Sequence, residues 1–380
     1  MTSTASLRRR AGAFALALAL TTAALSGCAA ASAKTADAAC PDADTPLASL
    51  ALETDPRATT GSSTACLASD AIEAVADTSA PVLPATVRDA EGRTVEVADV
   101  SRILPVDISG TIAATVFGLG LGDAVVGRDS STTFAGTEGL PVVTKSGHTL
   151  NAEAIAELAP TVMLTDTTIG PKEVRQQLRD AGIAVVVVSS ERRADTTGAL
   201  VAEIAAALGV ADRGTELADR LAADVADAVA EVAGIVPAEA SDRPRLLFLY
   251  VRGSANVYYI FGRDSGADSL IDAVGGVDVA SEIGWEGMKP MTAEALVAAQ
   301  PDVLVMMTDG LASVGGVDGL LERIPALQQT PAGEHRRVVD MADAEILSFG
   351  PRTADVIRAL ARAVYAPASA ASAPTAAPAS

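Results

Sequence analysis

Histidine is almost missing from this chain: His148 and His335 are the only two among 380 residues. A zinc or manganese site asks for about three or four converging His and carboxylate ligands, so that class of site is a poor match. Cysteine is scarce as well, limited to Cys28, Cys40 and Cys66, with no Cys-x-x-Cys pair to make a thiolate metal site. Basic residues are outnumbered, 28 against 48 acidic, for a net charge of −20. Nucleic acid selects basic patches and is set aside as a partner. No Gly-x-Ser-x-Gly elbow, His-Glu-x-x-His helix, phosphate-binding loop or dinucleotide glycine fingerprint is present, which argues against an enzyme. Beyond the N-terminus no apolar run could span a bilayer.

At the N-terminus, Arg8-Arg9-Arg10 is a positive leader to the apolar run Ala11 to Leu25, which is short for a span. It ends in Leu25-Ser26-Gly27-Cys28, which resembles a bacterial lipobox. Residues 1–28 are therefore expected to be a lipoprotein signal peptide, with Cys28 acylated and the chain held at a membrane surface. Residues 29–80, rich in Ala, Ser, Thr, Asp and Pro, read as a flexible tether. In the oxidising compartment that export implies, Cys40 and Cys66 are expected to form a disulfide, with two free thiols as the alternative.

From about Ala85 strands and helices alternate. Thr86 to Val97 reads as a hairpin around Glu91-Gly92-Arg93, and Val100 to Val106, Val125-Val126 and Val142-Val143 as strands. Then comes Thr149-Leu-Asn-Ala-Glu153-Ala-Ile-Ala-Glu-Leu-Ala-Pro160-Thr-Val-Met-Leu-Thr-Asp166: a capped helix, a proline stop and a buried strand. The helix Lys172 to Ala181 and the strand Ile183 to Val188 follow. The same module recurs 141 residues on, as Met291-Thr-Ala-Glu294 through Pro301 to Asp309, with Glu153 on Glu294 and Pro160 on Pro301. Between the copies, Asp212 to Val232 carries Leu217, Leu221, Val225, Val229 and Val232 on one face. At 1.5 Å per residue that helix is about 30 Å long, roughly a domain width. The fold class is α/β: two Rossmann-like lobes with parallel sheets, joined by one long helix. The divisions are a lobe over 81–210, the connecting helix over 211–234, a second lobe over 243–366 and a disordered tail over 367–380.

The second lobe opens with Arg245-Leu-Leu-Phe-Leu-Tyr250-Val-Arg252-Gly. Leu246 to Tyr250 reads as a buried strand running into a polar turn, and alternation points Tyr250 and Arg252 the same way. A free phenol has a pKa near 10, so ionising it at neutral pH costs about 4 kcal/mol. A guanidinium and a ferric ion both lower that cost. Tyr250 is thus a candidate iron ligand, with Tyr258 and Tyr259 as neighbouring substitutes and Tyr365 as a packing residue. The alternative is a strand-end Tyr with its hydroxyl in water.

The lipobox, the two copies of Thr/Asn-x-Glu-Ala-(Ile/Leu) running to Pro and Val, and the single long helix make residues 85 to 365 resemble the helical-backbone (class III) substrate-binding proteins of ABC importers. Within that class, Lys145-Ser-Gly-His148, Tyr250-Val-Arg252, the stretch from Gly275 through Trp285 to Pro290, and Leu347-Ser-Phe-Gly-Pro-Arg352 resemble haem-binding lipoproteins. That resemblance implies His148 from one lobe and Tyr250 from the other as axial ligands of haem, with Arg252 supporting the Tyr. Lys145, Lys289, Arg263 and Arg352 are then candidate partners of the propionates, and Met288, Met306 and Met307 candidate packing on the macrocycle. Glu138 and Glu286, or Glu282, are implied as permease-docking carboxylates. His335 reads as a solvated loop residue. The implied partners are the permease and ATPase subunits of an importer and the membrane surface, for a monomer on the extracytoplasmic face. A ferric siderophore or cobalamin is the alternative cargo.

Overall fold

The computed structural model describes residues 42–145 and 147–371, which fall in one compact unit. The signal segment, Cys28, Cys40 and the tail from residue 372 lie outside the described residues. Cys66 is disulfide-bonded. Among the described residues no helix is long and apolar enough to cross a membrane.

Strand β1 (Ser63–Ala65) comes first in the chain but is built into the second sheet. Strands β2 (Ala85–Arg88) and β3 (Thr94–Val97) make the expected hairpin, with Gly92 in the left-handed region at its turn. The first sheet is β4 (Ile103–Val106), then β7 (Val162–Thr165), then β8 (Ala184–Val187), all parallel and wholly apolar or small. Such runs are what a sheet covered on both faces requires. Between β4 and β7 lies a two-stranded ribbon, β5 (Thr144–Lys145) with β6 (Thr149–Leu150). Val125 and Val142, read above as strand starts, make only single bridges, to Ile103 and Arg128.

The second sheet has seven strands. Its backbone is β9 (Arg245–Arg252), paired parallel to β13 (Val303–Met307), which pairs parallel to β14 (Val338–Met341), and β1 closes that edge. On the other side β10 (Val257–Phe261) runs antiparallel to β9, and β12 (Met288–Pro290) antiparallel to β10. The short β11 (Val277–Asp278) pairs with the start of β9. The second sheet is therefore parallel at its centre with antiparallel strands on one flank. The helix Ala211–Ala233 joins the two halves and packs on the helices Thr197–Ala207 and Thr353–Tyr365, one from each half.

The repeat holds down to its side chains. Both helices, Ala152–Glu157 and Ala293–Ala299, are followed by a residue in the left-handed region just before the proline: Ala159 at φ 42° and Gln300 at φ 43°. Arg102, at the foot of β4, donates to the carbonyls of Leu158 and Ala159. Arg245, at the foot of β9, donates to those of Ala299 and Gln300. Both arginines satisfy carbonyls that a helix end leaves open. The copies differ in their caps: the Thr292 hydroxyl accepts from Ala295 N, whereas Asn151 makes no side-chain cap.

The stretch expected to be a flexible tether is, from residue 42 onward, folded across the molecule. Leu47 lies in the core of the second half, and Arg57 pairs with the buried Asp302 at 2.8 Å. Strand β1 adds to the sheet edge, with Ser63 Oγ and the carbonyl of Gly61 both bonded by buried Arg337. The segment then reaches the first half, where Val75 N donates to Gly118 O, Val82 N to Gly209 O, and Arg220 to the carbonyls of Glu73 and Ala74. At the other end, where a disordered tail is expected from residue 367, Pro367–Ser369 is a helical turn and Ala371 bridges Thr64.

Candidate functional site

The carboxyl ends of both sheets face the same junction, and the candidate site is assembled there. From the first half comes the β5–β6 ribbon. Its turn is held by Ser130, whose backbone N donates to Thr144 Oγ1 and whose hydroxyl donates to Gly147 O at 2.8 Å. Gly147, at φ 83°, lets the chain reverse, and His148 follows it half-buried. His148 Nδ1 is buried with no hydrogen-bond partner among the described residues. Burial pushes the imidazole below its usual pKa, the Arg252 guanidinium adds to that, and the Asp107 carboxylate opposes it. A guanidinium that acts on this imidazole must lie within electrostatic reach of it, although Arg252 belongs to the other sheet.

From the second half comes β9, which runs on to Arg252, two residues past the strand expected from the apolar run. Phe248, Tyr250 and Arg252 share one face; Leu247, Leu249 and Val251 share the other, which is core. Tyr250 is half-buried, directly opposite Tyr259 on β10, with ring centroids 6.4 Å apart edge to face. The Phe261 ring stacks on it at 5.7 Å. The Arg252 guanidinium lies over the Tyr250 ring, 4.5 Å from its centroid. Its Nη2 donates to Asp343 Oδ2 at 2.5 Å and approaches Met307 Sδ at 3.5 Å; its Nη1 donates to Val251 O at 2.9 Å. Tyr250 and Tyr259 thus present one aromatic wall, while Tyr258 packs into the opposite face. Tyr365 is buried and donates to Val274 O, and burial pushes its phenol up.

The remaining sequence candidates divide. Lys145, on β5 beside His148, and Lys289, on edge strand β12, are exposed, as is Arg263. Met288 is 62% exposed on the same edge. Met307 ends β13 beside Arg252, but Met306 points into the core and is withdrawn as a packing residue of the site. Arg352 is withdrawn as a propionate partner: only 4% exposed, it donates to Ala344 O, sits 3.9 Å from Glu345, and lies 5.5 Å over the Phe134 ring of the first half. It fastens one half to the other. Glu138 and Glu286 are exposed, Glu138 accepting from Gly136 N. Glu282 is held by Arg245 at 2.9 Å. His335 is half-buried behind the helical turn Pro331–Glu334 rather than solvated, with Nδ1 buried.

Sequence reasoning missed a buried carboxylate group at the same end of the first sheet. Asp107 follows β4, Asp166 follows β7, and Arg192, beyond β8, donates Nη2 to both, at 3.1 and 2.7 Å. Asp129 sits behind them, accepting from the backbone N of Asp107, Ser131 and Thr132. An Asp set directly after an apolar strand, as in Val106-Asp107 and Thr165-Asp166, was the available signal. The neighbouring Arg193 reaches across to Asp268 at 2.8 Å, and a Cβ on Gly266 would lie 2.3 Å from Arg192 O. Only glycine allows that approach between the halves.

A family model described as periplasmic binding protein matches residues 106–345. The chain belongs to the periplasmic binding protein family. Its fold is that of a class III substrate-binding protein, and its role is to bind a substrate. A crystal structure of heme binding protein HmuT is similar to this chain, with TM-score 0.77 and 43% identity, covering 82% of this chain and 99% of that one. The ABC transporter substrate-binding lipoprotein YvrC of Bacillus subtilis (strain 168) is 25% identical over 288 residues, 75% of this chain and 86% of its own length. A cobalamin-binding protein of Halobacterium salinarum is 27% identical over 263 residues, 68% of this chain and 69% of its own.

Proposed function

We propose that this protein is a lipid-anchored, extracytoplasmic substrate-binding protein that captures haem between its halves and delivers it to an ABC-importer permease. What supports the reading most is that His148, on the ribbon of the first half, and Arg252, beside Tyr250 on β9 of the second, lie close enough for the guanidinium charge to act on the imidazole. When haem is present, its ferric iron offers two axial positions, suited to a hard oxygen donor and an imidazole nitrogen. Tyr250 is the oxygen donor, presented by a stiff strand end. Arg252 lies over its ring and is held there by Asp343, next to the phenol whose oxygen ferric iron would take. Burial favours the neutral form of His148, the form that can donate to a metal. Lys145 and Lys289, exposed and one from each half, are available to meet propionates, while Tyr250 and Tyr259 give an aromatic wall for the macrocycle. Solved variants of HmuT carry Ala in place of a His, of a Tyr, and of an Arg two positions after that Tyr. His148, Tyr250 and Arg252 occur here in the same order and with the same Tyr-to-Arg step.

The test is a visible spectrum of the purified protein with added haemin, for wild type, His148→Ala and Tyr250→Ala. The expected outcome is a Soret and charge-transfer pattern that changes in both variants. If both substitutions leave the wild-type spectrum intact, the ligand assignment is wrong. Binding of cyanocobalamin or a ferric siderophore, read by Trp285 fluorescence with haemin ineffective, would assign the cargo to the other class.

A further inference from the structure

Arg252 has several hydrogen-bonding neighbours among the described residues, and one of them is a carboxylate. Among the described residues, Asp343 is the single carboxylate in ion-pair contact with it, at 2.5 Å. Val251 O and Met307 Sδ are neutral and weaker acceptors. Asp343 is itself anchored, because its second oxygen accepts from the backbone N of Asp309 at 2.9 Å. Behind the guanidinium the helix Thr308–Ala312 lies so close that a Cβ on Gly310 would sit 3.1 Å from Arg252 Nη1 and 2.8 Å from Val251 O. That side is closed. The open side of Arg252, whose side chain is 30% exposed, is the junction where His148 lies. An arginine free to turn that way would place its charge against the imidazole rather than over the phenol ring.

We infer that Asp343 is a positioning residue: it parks the Arg252 guanidinium over the Tyr250 ring and stops it from swinging further toward His148. The inference rests on Tyr250 being the ligand to the cargo, and extends that reading to a residue 93 positions later that contacts Arg252. A bond between two charged groups in a partly buried place is stronger than its neutral neighbours, so the pair with Asp343 sets where the guanidinium stays.

The test has a ligand-free arm and a loaded arm. In side-chain 15N–1H spectra of the empty protein, Arg252 should give separate, slowly exchanging Nη signals, which collapse in Asp343→Asn and return in Asp343→Glu. In the haemin complex, Asp343→Asn should shift the charge-transfer band in the direction Arg252→Ala shifts it and speed haemin release about tenfold, the loss of one charge-assisted bond. In the Arg252→Ala background Asp343→Asn should add nothing, because it acts through the arginine. Unchanged Arg252 signals in Asp343→Asn, or an effect on release that persists undiminished without Arg252, overturn the inference. If haemin does not bind the wild type but the Arg252 signals still collapse in Asp343→Asn, the positioning role stands and the cargo assignment falls.

Discussion

Tyr250 gains its character from what surrounds it in space: Phe261 stacked on one hand, Tyr259 edge-on, and Arg252 over its ring. The buried carboxylates of the first sheet make a separate, testable statement at this scale. Burial first, and the Asp107 carboxylate second, push Asp129 up to about 7. A carboxyl whose folded pKa lies above its unfolded value of about 3.9 holds its proton better when folded. Its stabilising contribution is whole at low pH and is lost as pH rises through the folded value. Thermal unfolding midpoints should therefore fall between about pH 4 and about pH 7 on account of this carboxyl, and Asp129→Asn should flatten the fall. A variant whose melting profile tracks the wild type across that window would refute it. Arg352 yields a second outcome: removing it should loosen the two halves rather than the cargo's charge contacts. Arg352→Ala should therefore lower the unfolding midpoint while leaving the salt dependence of haemin binding unchanged.

At the scale of elements, the repeat explains more than the helix–proline–strand pattern that reveals it. Arg102 and Arg245 each tie the foot of one strand to the end of the neighbouring helix, at equivalent places in the two halves. Ala159 and Gln300 accept a left-handed backbone, which costs about 1–2 kcal/mol for a residue with a Cβ. The arginine contacts help to hold the chain there. Arg102→Ala and Arg245→Ala should each lower stability by about 1 kcal/mol in urea unfolding, and the two should add, because they share no partner. A double variant well away from the sum would mean that the halves are coupled through these corners.

Over the whole molecule, the halves are joined by more than one helix. The segment from residue 42 to β2 runs from the second half to the first as a second crossing. Ile72 lies on the Phe117–Phe134 cluster, and Arg213, buried, donates to the carbonyls of Leu119 and Ser79. This strap, with Arg193–Asp268 and Arg352–Phe134, ties the two halves together. Freeing it should show locally. In Arg213→Ala, backbone amides of residues 73–82 should exchange at least about tenfold faster than in wild type, as for any segment whose opening becomes about 1.4 kcal/mol easier. Equal exchange in both proteins would mean that Arg213 does not hold the strap.

Local chemistry was enough for part of this. Buried parallel strands write themselves as apolar runs, a repeat survives as spacing, and Tyr-x-Arg on a strand must share a face, so the two-part α/β plan and the phenol–guanidinium pair could be read along the chain. The strap could not: its anchors, Arg57 to Asp302 and Arg362 to Thr45, join residues far apart in sequence, and such contacts leave no periodicity to read. Nor could the fate of individual charges. Whether an arginine waits in a cleft, as its neighbours in sequence suggested for Arg352, or is spent pinning two halves together depends on which carbonyls, carboxylates and rings the finished fold brings around it, and only the tertiary structure decided that.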